Sequence, residues 1–106
     1  MPSLNAPRAY AAKSVALTSS ILNISSTVVN FATSDLTAAD RAVITPNSSN
    51  YGVVAWGSTA PSASLGYLMA TGMPPLYING NPNVQNIYVT SATTLAATIS
   101  ITLEKY

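Results

Sequence analysis

Three carboxylates, Asp35, Asp40 and Glu104, are the only acidic side chains in this chain of 106 residues. A glycosidase sets two carboxylates across one bond. Here Asp35 and Asp40 share one polar connector and Glu104 stands near the end of the sequence. Nothing in that spacing brings a pair to one bond, so solvated surface charges are the plainer expectation. Serine and threonine are abundant, but a hydroxyl needs a base to become a nucleophile. The chain has no His and no Cys, and its only lysines are Lys13 and Lys105. The commonest general base, the commonest metal ligand and the thiolate are therefore all missing. No catalytic residue, no cofactor and no metal is expected, and an enzyme is not.

Aromatic side chains carry the remaining chemistry. Trp56, Tyr51, Tyr67, Tyr77 and Tyr88 could form a platform on which sugars stack. Tyr77 and Tyr88 alternate with Leu76, Ile78, Ile87 and Val89, which turns them away from that apolar face. Exposed, they mark a contact surface; paired across strands, they stabilise a sheet. A protein interface is favoured over a sugar site, because no acid or amide cluster is tied to Trp56 by spacing. Asn79-Gly80 is a turn dipeptide first and a deamidation risk second. Asn23-Ile24-Ser25 and Asn47-Ser48-Ser49 match the glycosylation acceptor pattern, as chance permits in an Asn- and Ser-rich chain.

The elements that position these residues read as strands. Ala97, Ile99, Ile101 and Leu103 alternate with Thr98, Ser100, Thr102 and Glu104, and a period of two is a strand with one buried face. Asn86 to Thr90 repeats the period, with Ser91 to Thr94 short enough for a hairpin loop. Leu76-Tyr77-Ile78 is a third strand, and Asn79 to Asn83 is turn chemistry. Upstream, Ala12 to Thr18 alternates with Val15 and Leu17 on one face. Ser19 to Ser26 reads as a loop and Thr27 to Phe31 as a strand. Thr37 to Asp40 fits a capping box, so one helical turn is plausible there. Arg41 to Thr45 and Tyr51 to Trp56 read as a hairpin around a five-residue loop. Residues 57–64 form a small-residue loop, and Leu65 to Ala70 reads as a short strand or a turn of helix. Turn signals at intervals of about 8–12 residues suggest a sandwich or barrel.

The fold class is thus all-β, a small antiparallel sandwich. Residues 1–11, with Pro2 and Pro7, are expected to be an extended arm, and residues 12–106 a single domain. Leu4, Arg8 and Tyr10 would anchor such an arm against a neighbour, since aromatic and Arg side chains dominate interface hot spots.

Composition bears on partners. Hydrophobic residues make up 48% of the chain and charged residues 7%, against roughly 25% charged in an average domain. Net charge is +1. Weakly charged, near-neutral proteins tend to associate, so assembly is expected over a solitary monomer. Four scattered basic residues make no footprint for nucleic acid. No apolar run approaches the roughly 20 residues of a membrane helix, and Arg8 and Lys13 interrupt the N-terminal stretch, which does not read as a cleaved signal. Synthesis in a cytoplasm without processing is the expectation.

From Arg41 to Tyr106 the sequence resembles a small β-sandwich module of tailed-bacteriophage virions, found among head decoration (cement) proteins and related neck and fibre pieces. RAVITPNSSNYGVVAWG resembles the module's hairpin, and SLGYLMATGMPPLYING its passage of Gly, apolar residues and Gly leading into a strand. IYVTSATTLAATISITLEKY resembles its closing hairpin, ending in an alternating strand with an acidic residue near the terminus. Pro74-Pro75 and the Asn-rich loop at 79–83 depart from the pattern. The resemblance implies a jelly-roll-like sandwich with a structural role on a capsid surface. It further implies a homotrimer whose partners are the major capsid protein and itself. Tyr77 and Tyr88, from their alternation, join Leu4, Arg8 and Tyr10 as candidate contact residues. The alternative is a carbohydrate- or receptor-binding module of a phage fibre.

Overall fold

The computed structural model describes residues 8–57, 66–92 and 96–106. Among the described residues, eight strands and two short helices follow one another: β1 (Arg8–Leu17), β2 (Leu22–Asn23), α1 (Thr33–Ala38), β3 (Arg41–Pro46), β4 (Gly52–Ala55), β5 (Tyr67–Met69), β6 (Leu76–Asn79), α2 (Asn81–Val84), β7 (Tyr88–Ser91) and β8 (Ala97–Lys105). They form two four-stranded antiparallel sheets, ordered β1-β8-β3-β6 and β2-β7-β4-β5.

The pairing has one logic. β1 pairs with β8, β2 with β7, β3 with β6 and β4 with β5. That is one long hairpin, folded double between β4 and β5. The hairpin then rolls up, joining β3 to β8 and β4 to β7. A rolled eight-stranded hairpin in two sheets is a jelly roll.

Alternation explains the core. Ala97, Ile99, Ile101 and Leu103 of β8 are all buried, and the residues between them are not. Val15 and Leu17 of β1, Ala42 and Ile44 of β3 and Ile78 of β6 share their face. Ile87, Val89, Val54 and Met69 belong to the same apolar cluster from the side of the second sheet. Side chains from two inner faces interdigitate in this way in any sandwich. Val43, next to Ile44, has the opposite parity and is only partly buried.

Several local expectations need correction. β1 starts at Arg8, so residues 8–11 belong to the sheet and not to an arm. A bulge between Ala9 and Ala11 sets Tyr10 outside the regular register, which breaks the period that would have announced the strand. Residues 1–7, including Leu4, lie outside the described residues. Thr27 to Phe31 is not a strand: Asn30 has φ of 63° and its N–H donates to the Ser26 carbonyl. Asn tolerates that left-handed conformation better than most residues. Leu22–Asn23 instead supplies a two-residue strand inside the expected loop. A helix does precede β3, but Thr37 does not cap its start. Thr37 lies in its last turn, where its hydroxyl donates to the Thr33 carbonyl at 2.8 Å.

The two expected hairpins are also absent. β3 and β4 lie in different sheets, as do β7 and β8. Residues 47–51 therefore arch across the sandwich. β4 could not have been read as a one-faced strand, since all four of its residues are buried.

Candidate interaction surfaces

Each end of the sandwich collects one kind of chemistry. At one end stand the start of β1, the end of β8, the start of β3, the end of β6 and both helices. Arg8 is registered opposite Lys105, and Arg41 opposite both Glu104 and Asn79. Arg41 Nε donates to Glu104 Oε1 at 2.6 Å, both side chains being partly buried. The Arg41 guanidinium also lies 4.8 Å from the centroid of the Tyr77 ring, within cation–π range. On the neighbouring edge the Lys105 ammonium lies 5.2 Å from the Tyr10 ring. The Tyr10 hydroxyl donates to the Asp35 carbonyl. Burial raises the Tyr10 pKa, with the charges of Asp35 and then Asp40 adding to the effect.

Asp40 ties three segments here. Its N–H donates to the Glu104 carbonyl and its carbonyl accepts from Gly80 N–H, both at 2.9 Å. Its carboxylate accepts the Tyr106 N–H at 2.8 Å. Asn81 fastens α2 to α1, its side-chain amide donating to the carbonyls of Leu36, Thr37 and Ala39 at 2.7–3.0 Å. All of these polar groups serve cross-links inside the chain.

The other end holds the connections 18–21, 47–51 and 70–75, together with Ala92 and Ala96. Ser48 is its hub. The Ser48 carbonyl accepts Thr71 N–H at 2.9 Å, and its hydroxyl accepts Thr98 N–H at 3.1 Å. Asn50 donates its amide to the Ala96 carbonyl at 2.6 Å, and Asn47 donates to the Ser100 hydroxyl. Ala92 N–H reaches the Tyr51 carbonyl and Ser91 N–H the Thr18 carbonyl. These bonds fix four connections to one another. Ile21 and Tyr51 are about half exposed on this end, at 50% and 48%.

The residues expected to form an interface do not converge. Arg8 and Tyr10 lie on β1, at one edge of the first sheet, and Tyr77 on β6, at the opposite edge, with β8 and β3 between. Tyr88 starts β7 in the second sheet, opposite Ala55. Tyr77 is exposed, as its alternation implied, while Tyr88 is half-buried. Arg8 is exposed and Tyr10 is partly buried against the core. The acids, by contrast, are gathered at one end, yet each of the three engages a partner within the chain through its backbone or side chain.

Among the described residues no three His, Cys, Asp or Glu side chains stand together as metal ligands, and no buried side-chain N or O lacks a partner. No described helix is long and apolar enough to cross a membrane. The chain matches no protein-family model, no curated protein and no solved structure.

Proposed function

We propose that this protein is a structural component of a virion, a decoration or cement protein that stabilises a phage head through protein–protein contacts. The strand order carries the reading. Pairs β1·β8, β2·β7, β3·β6 and β4·β5 define a jelly roll, an architecture that recurs in viral capsid and lectin domains. A fold alone hosts many functions, so the surface must add to it. At both ends several polar groups, among them Asp40, Asn81, Ser48 and Asn50, cross-link segments of the chain, as befits a rigid building block. Low charge and half-exposed Tyr51, Tyr77 and Ile21 supply contact area of the kind interfaces use. The proposed partners are the major capsid protein and further copies of the chain, as a homotrimer, on the capsid surface.

The test is co-expression with a major capsid protein encoded beside it, followed by purification of shells. Retention of the chain at a fixed stoichiometry supports the reading; shells that exclude it at saturating concentration refute it.

One observation favours a second reading, a glycan- or receptor-binding module. Trp56 closes β4 with 38% of its surface exposed, and an exposed indole can stack on a sugar ring. Glycan-array binding that vanishes in Trp56→Ala would select this reading over the first.

A further inference from the structure

We draw no further inference here: the strongest candidate, the apolar patch on the outer face of the second sheet where Val53 is registered opposite Leu68 and Ala55 opposite Tyr88, outside the core cluster, carries nothing because nothing in the structure shows what covers it.

Discussion

Leu17 of the first sheet and Gly52 of the second touch across the sandwich. A Cβ on Gly52 would stand 2.7 Å from Leu17 Cδ1, far inside van der Waals contact. Gly52 begins β4 and Leu17 ends β1, so the two sheets approach closely just below the end that holds the connections 18–21 and 47–51. A side chain at Gly52 would have to displace the end of the Leu17 side chain, which is fully buried.

Gly52→Ala should therefore destabilise the protein by about 1–3 kcal/mol, the usual cost of overpacking a core. Leu17→Val in the same chain should recover part of the loss, since it removes the colliding methyl. Denaturant unfolding of the two single variants and the double variant checks this. Strict additivity would show that the contact is not the cause.

The β8 alternation makes a sharper demand. Ile101→Ala should cost about 2–5 kcal/mol as a core truncation. Thr102→Ala, one residue on and facing outward, should cost well under that. Chemical denaturation of the two variants compares them directly. Equal losses would mean a slipped register, which exchanges the faces of a strand.

The Arg41–Glu104 pair links β3 to β8 at 2.6 Å and is only partly exposed. Charge-assisted bonds of this kind are worth about 1.5–3 kcal/mol when shielded, against about 0–1 for fully exposed pairs. Glu104→Gln should cost about 1 kcal/mol, since the amide keeps an acceptor. A double-mutant cycle with Arg41→Ala should show coupling. A second cycle, Arg41→Ala with Tyr77→Ala, should show a smaller one from the ring contact. No coupling in the first cycle would make the pair a surface ornament.

Tyr10 predicts a loss of stability in alkali. Burial, and after it Asp35 and Asp40, raise its pKa above 10.0 in the folded chain. Between the unfolded and folded values the unfolded state has released the phenolic proton and the folded state has kept it. The unfolded state then binds fewer protons, so stability falls as pH rises. The contribution is intact below about pH 10 and is lost as the pH climbs through the folded pKa. Urea melts across that range should show the decline, and Tyr10→Phe should flatten it.

Asn79-Gly80 should deamidate slowly while the chain is folded. The reaction needs the Gly80 nitrogen to attack the Asn79 side chain. That N–H is engaged with the Asp40 carbonyl at 2.9 Å, and Asn79 is held in β6. Mass spectrometry of aged samples should find the modification accumulating much faster in denaturant than in native buffer. Comparable rates would show that the β3–β6 end opens readily.

Much of the burial pattern follows from composition and period alone. Alternation in β8 identifies Ile99, Ile101 and Leu103 as inward whichever strand lies beside them, because a pleat sends neighbours to opposite faces. The same logic separates Ile78 from Tyr77 and Val15 from Ser14. The absence of His and Cys excludes whole classes of chemistry without reference to any fold. Strand partners do not follow in this way. A short connection such as 47–51 is equally compatible with a hairpin and with an arch, and the competition among all the strands chose the arch. β1 pairs with β8 at the far end of the chain, a contact that no local window contains. The bulge at Tyr10 hid the start of β1, and β4, buried on both faces, had no alternation to display. Charge is the clearest case. Positions 8, 35, 40, 41, 104 and 105 are scattered along the sequence, and only the rolling of one long hairpin brings its two termini and its α1–β3 corner to the same end.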